Sequence, residues 1–185
     1  MLTILSIGHS NHPPGRFLEL LTQHNVGVLA DIRRYPSSRQ HPHFNRDSLN
    51  TALVAEGVEY VWIETLGGRR KPAIGARSPN GALRNKSFRN YADYMLTDEF
   101  LAGVTRLLAL AKRRPTVMMC AEGLWWQCHR RLVSDWLVAN GTSVAHIFPN
   151  GVTKPHELTP EARVRAGRVT YPAERSLFDA PEQSE

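Results

Sequence analysis

Two short segments hold most of the side chains able to do chemistry: Asp31-Ile-Arg-Arg-Tyr-Pro-Ser-Ser-Arg39 and Cys120-Ala-Glu-Gly-Leu-Trp-Trp-Gln-Cys-His-Arg130. Each begins where an apolar run ends, and in a parallel α/β sheet such strand ends converge on the ligand crevice. A fold has no need of an acid, two thiols, an imidazole and several guanidiniums there. Together the segments point to a working site.

Three chemistries fit these residues. Glu122 is the acid/base candidate, because partial burial raises a carboxyl pKa while nearby arginine lowers it. Asp31 and Glu122 form a candidate carboxylate pair for a glycosidic bond, with His9 assisting, and their separation decides between nucleophile and water activation. Cys128 opens an expected helix, where free N–H groups depress a thiol pKa. It is a candidate nucleophile or redox thiol with Cys120 as partner, although the spacing is C-x7-C rather than C-x-x-C. The third option is a zinc-type site on Cys120, Cys128 and His129, completed by His9 or water. Adjacent residues on a helix point about 100° apart, so no metal ligand set is assigned.

Substrate contacts are expected around this centre. Arg33, Arg39 and Arg130 suit phosphate, with Arg69 reaching in from a second basic loop. Trp126, among arginines, suits stacking on a base. Ser10 ends the first apolar run and His129 starts a helix. Phe44 and Asn45 close a polar, proline-rich segment, 36–45, that is expected to be a rigid substrate-contacting loop rather than a strand. These complete the candidate binding set.

Alternating strands and helices must position these groups. Apolar runs predict strands over 2–7, 26–32, 58–63, 116–120 and 143–148. Between them, Ser10 or Asn11 is expected to cap a helix begun by Pro13 and Pro14, and a second helix runs from about 46 to 57. Residues 88–111 read as two helices broken near Thr97-Asp98. A helix over about 128–140 stops at Gly141, and a last one is expected around 160–166. Residues 67–85 form a long basic loop of the length used for binding or lids. The expected fold is a three-layer α/β domain over 1–178, with a mostly parallel five-stranded sheet, helices on both faces and a polar tail over 179–185.

Composition sets the remaining bounds. A chain of 185 residues buries a real core without disulfides, and two cysteines exclude a secreted disulfide scaffold. Neither a signal peptide nor an apolar run of about 18 residues is present, so a soluble cytoplasmic protein is expected. The net charge of +6 favours an anionic partner, a nucleotide or nucleic acid. No cofactor follows from the residues.

The ordered motifs Ile7-Gly-His-Ser10, the Asp31–Arg39 segment, Pro42-His-Phe-Asn45, Leu66-Gly-Gly-Arg69, Cys120-Ala-Glu122 and Cys128-His-Arg130 resemble the bacterial domain of unknown function 488 family. So do Leu158-Thr-Pro-Glu-Ala-Arg163, Thr170-Tyr-Pro172 and Leu177-Phe178. The resemblance implies a compact α/β domain with one shared polar site, and brings no reaction with it. One departure is that the proline carried between the CAE and CHR elements is replaced within Gly123-Leu-Trp-Trp-Gln127. This implies a different turn aiming Glu122 and Cys128. The leading expectation is an enzyme hydrolysing an N-glycosidic or related bond of a nucleotide or nucleic acid. Thiol or metal chemistry at Cys120 and Cys128, and non-catalytic nucleic-acid binding, are the alternatives.

Overall fold

The computed structural model describes residues 2–72, 75 and 77–173. Leu177, Phe178 and the expected 179–185 tail lie outside them. Among the described residues, eight strands and five α-helices follow one another. They are β1 (Thr3–Gly8), α1 (Pro14–Gln23), β2 (Val28–Asp31), α2 (Arg46–Ala55), β3 (Glu59–Trp62), α3 (Lys86–Tyr94), α4 (Asp98–Arg113), β4 (Thr116–Cys120), α5 (Arg130–Ala139), β5 (Ser143–Ile147), β6 (Thr153–Pro155), β7 (Arg163–Arg165) and β8 (Arg168–Thr170).

The central sheet has six strands in the order β3-β2-β4-β1-β5-β6. The first five are mutually parallel, and β6 adds to β5 antiparallel, Ala145 pairing with Pro155 and Ile147 with Thr153. The expected sheet is therefore present with one strand more. β6 is short, exposed and carries no apolar alternation, so nothing in its sequence announces it.

Successive strand residues face opposite sides, and the core divides accordingly. Ile4, Val28, Ala30 and Met118 pack under α3, α4 and α5, with Tyr91, Phe100, Leu107, Leu132 and Leu137. Ile7, Leu29, Val117 and Met119 pack under α1 and α2, with Phe17, Leu20, Leu49 and Leu53. The strands are covered on both faces, which explains their near-continuous apolar runs.

Local chemistry ends the helices where expected in most places. Thr97 accepts from the Phe100 N–H and caps α4, whose first turn carries Asp98 and Glu99 and whose last turn carries Lys112 and Arg113, matching the helix dipole. Gly141 follows α5 at φ +81°. At α1 the cap differs: Pro13 is the N-cap, and neither Ser10 nor Asn11 lends a side-chain cap. The helix expected around 160–166 is replaced by a hairpin of β7 and β8. Ala166 and Gly167 both take positive φ, 47° and 75°, the geometry of a tight two-residue hairpin turn. No helix among the described residues is long and apolar enough to cross a membrane.

Candidate functional site

The carboxyl ends of β1, β2 and β4, with the loops after β2 and β3 and the start of α3, enclose a cavity of about 690 Å³. Gly8 and Cys120 are register partners at this edge. The backbones there touch closely: a Cβ on Gly8 would lie 1.9 Å from the Glu122 carbonyl oxygen. Glycine is what lets the turn after β4 fold back over β1.

Cys120, Cys128 and His129 meet on the cavity wall, with their donor atoms all within 4.8 Å of one another. His129 Nδ1 lies 3.5 Å from Cys128 Sγ and 3.8 Å from Cys120 Sγ. The other ring nitrogen, Nε2, is 3.0 Å from the Ile32 carbonyl oxygen. A carbonyl only accepts, so Nε2 carries the proton and Nδ1 turns its lone pair toward the sulfurs in the neutral ring. The helical geometry that would have splayed Cys128 and His129 is absent. α5 begins at Arg130, and Cys128 is extended at φ −128°, ψ 155°, which swings its sulfur onto the same point as the imidazole.

The two thiols differ in character. Burial disfavours the Cys128 thiolate, but the Cys120 thiol hydrogen bond, His129 and Arg130 outweigh it and hold its pKa well below the usual thiol value. Cys120 is pushed well up, first by its hydrogen bond with Cys128 and then by burial.

Among the described residues, Glu122, exposed, is the one carboxylate on the cavity lining. Arg33, Arg34 and Arg69 line the same cavity. Arg34 also pairs with Glu64 at 3.1 Å, and Arg69 is exposed at φ +58°. The rest of the wall is largely amide and hydroxyl: Asn11, Gln40, Asn85, Gln127, Ser10 and Ser38. A basic, hydrogen-bonding wall suits a compact anion with polar edges.

Several expected site residues are placed beneath the cavity rather than on it. Asp31 is fully buried, and strand alternation puts it with Leu29 on the α1/α2 side, away from Cys120. Its two oxygens accept from Arg33 Nε, Arg33 Nη2, the Arg33 backbone N–H and the Tyr60 hydroxyl. Asp31 and Glu122 are therefore not brought together as a facing pair. His9 does line the cavity, but Nδ1 donates to the Ser10 carbonyl at 2.9 Å, and Nε2 accepts from Arg33 Nη1 at 3.2 Å. Burial, then Arg33, brings its pKa down to about 4.

Other candidates serve the frame. Phe44 is buried and stacks on His9, with ring centroids 4.2 Å apart. Asn45 Oδ1 accepts from the Ser38 N–H at 2.6 Å, bracing the 36–45 loop, which includes a 3-10 turn at Pro42–Phe44. Arg130 is buried, and its guanidinium holds the Glu122 and Gly123 carbonyls and the Ser6 hydroxyl. It shapes the turn between Cys120 and Cys128 instead of facing a substrate. Arg39 is exposed and Trp126 is 41 % exposed against Phe148, both off the cavity lining.

Two features escaped the sequence reading. A Cβ on Gly68 would sit 2.9 Å from His129 Nδ1, so this glycine shapes the space beside the three donors. Its signal was the Gly67-Gly68 pair inside a basic loop. Under α5, Asp135 gathers the Thr159 N–H and hydroxyl, the Tyr171 hydroxyl and His156, which in turn meets His146 at 2.9 Å. These residues are scattered along the chain with no spacing to link them. Trp125 stacks on His146 with centroids 4.3 Å apart, which takes it away from any base.

Comparison with known proteins finds no match among curated proteins or solved structures. A family model does match, over residues 13–137, described as Domain of unknown function DUF488. That span contains β2, β4, both reactive segments and all three donors of the cavity wall, and the chain belongs to the DUF488 family.

Proposed function

We propose that this protein is an enzyme acting on a small anionic substrate of the nucleotide class. Cys120, Cys128 and His129 are its reactive centre and Glu122 is its proton carrier. The observation that carries the reading is the convergence of the three donors within 4.8 Å on the wall of a roughly nucleotide-sized cavity. Buried sulfur and imidazole clusters of this kind are rarely needed by a core.

The rest of the wall supports the reading. Arg34 and Arg69 provide the charge to hold phosphate or carboxylate, and the amides provide donors and acceptors for a polar ring. Glu122, two residues after Cys120 and on the same cavity lining, accepts a proton from an attacking water and returns it to the leaving group of an N-glycosidic or related bond.

The test is release of base, phosphate or ammonia from a panel of nucleotides, nucleosides and short nucleic acids by the parent protein, Cys128→Ser and Glu122→Gln. The expected result is release by the parent and loss of it in both variants. Equal release by the parent and both variants would remove the site from the reaction. If no panel member is turned over or retained in equilibrium dialysis, the substrate class is wrong.

A further inference from the structure

Resting on that reading of the centre, we propose that Cys120, Cys128 and His129 hold a single zinc-type ion whose fourth position faces the cavity. The proposal stands on four geometric observations.

The spacing comes first. A tetrahedral ion bonded at about 2.3 Å to sulfur and about 2.0–2.1 Å to imidazole nitrogen sets its S and N ligands about 3.5 Å apart. The observed separations from Nδ1 are 3.5 Å and 3.8 Å. These separations are the ones a shared cation would set. A nitrogen with one lone pair also accepts poorly from two thiols at once. A cation shared by all three donors uses each of them fully.

Orientation is the second. Metal-bound histidines donate their remote N–H to a carbonyl or carboxylate, which fixes the tautomer and aims the free nitrogen. His129 does so through Nε2 to the Ile32 carbonyl, from the strand end next to β4.

Third is space. Gly68 places hydrogen where any other residue would put a methyl 2.9 Å from His129 Nδ1. The same Cβ would lie 3.3 Å from Cγ and 3.4 Å from Cε1, over the ring face, so the glycine lets the imidazole seat itself where Nδ1 meets both sulfurs.

Ligand count is the fourth. Structural zinc sites are closed by four protein ligands, whereas catalytic ones keep three and leave a position for water or substrate. Among the described residues three donors form this group, and all three line the cavity. The soft sulfur pair favours zinc over magnesium or calcium. Water at the open position would give the hydrolytic enzyme its nucleophile, with Glu122 on the same cavity lining.

The test uses the full chain purified without chelator. Elemental analysis is expected to find about one zinc-type ion per chain, and cobalt reconstitution to give sulfur-to-cobalt charge transfer and tetrahedral visible bands. In the intact parent, both thiols should resist alkylation until a chelator is added, a readout that needs no variant to fold. Cys128→Ser and His129→Ala, checked for native circular dichroism, should lose the ion. Metal-free protein without cobalt bands, whose thiols alkylate equally fast with and without chelator, would overturn the proposal in favour of a bare thiol–imidazole pair. The two readings fail separately. An ion with no turnover removes the substrate assignment alone, and turnover by the metal-free protein removes the ion alone.

Discussion

Arg33 Nη1 donates to His9 Nε2 at 3.2 Å, and this one contact fixes the charge of both partners. A guanidinium cannot accept, so the imidazole must be neutral. The same arginine is bound to Asp31 through Nε and Nη2 and to the Phe44 carbonyl through Nη2. Little of its donor capacity is left for a substrate. Arg33 is thus an anchor for the wall of the site, and Arg34 and Arg69 are the arginines with charge to offer.

The neutral imidazoles predict how stability depends on pH. His9 titrates at about 4, lowered by burial and then by Arg33, with Asp31 acting in the opposite sense and His41 in the same one. His146 titrates at about 3, lowered by burial, His156 and Arg130. The unfolded chain protonates both near pH 6.5. Folding is therefore fully supported above that value and weakens as pH falls from 6.5 toward 4. The slope is up to about 1.4 kcal/mol per pH unit for each imidazole. Urea midpoints measured from pH 7 to pH 4.5 should fall steadily, and His9→Gln should flatten the slope. A midpoint flat over that range would contradict the neutral assignments.

Asp31→Asn should be far more damaging than Tyr60→Phe. The first leaves a buried guanidinium without its counter-charge, a loss of about 3–5 kcal/mol. The second removes one of several hydrogen bonds to the carboxylate, about 1 kcal/mol. Chemical denaturation of the two variants gives both numbers. Equal losses would mean that the Asp31–Arg33 pair, 2.6 Å at its shortest contact, does not anchor the edge.

Gly68→Ala should act on the centre and spare the fold. Its methyl would press on His129 Nδ1, and disturbing a ligand's support typically lowers metal affinity about 10–100-fold. Cobalt affinity by competition should drop by at least about tenfold, the low end of that range. The thermal midpoint should move little. Unchanged affinity would show that the glycine does not guard the donor nitrogen.

Asp135→Ala tests the second buried network. It would strand His156, Thr159 and Tyr171, which all bind this carboxylate. The expected loss is about 3–5 kcal/mol, against about 1 kcal/mol for Tyr171→Phe. Hydrogen exchange should show the β7–β8 hairpin opening first in the alanine variant. An unaffected hairpin would mean that the network does not fasten it to α5.

The sequence made the parallel strands legible because they are buried on both faces, so apolar runs such as Thr116–Cys120 announce their own ends. It did not reveal Thr153–Pro155 or Arg163–Arg165, whose residues are exposed and whose pairing comes from partners elsewhere in the chain. Of the site, residue types and edge were readable. Side-chain direction was not. Helical spacing splays Cys128 and His129, and one extended residue reverses that conclusion. Arg130 has the composition of a phosphate ligand, yet its Nη atoms bond the Glu122 and Gly123 carbonyls and the Ser6 hydroxyl. Such exchanges between solvent and backbone partners leave no periodic trace.

The strand order has a further consequence, for assembly. β1 and β2 follow each other in the chain but share no edge, because β4 lies between them. A nascent chain that has not yet reached Thr116 holds a β2–β3 ladder and an isolated β1 with nothing to join them. The strand that closes this gap ends in Cys120. Pairing of β4 with both β1 and β2 is long-range in the chain, and it is this pairing that sets Cys120 at the sheet edge beside Gly8.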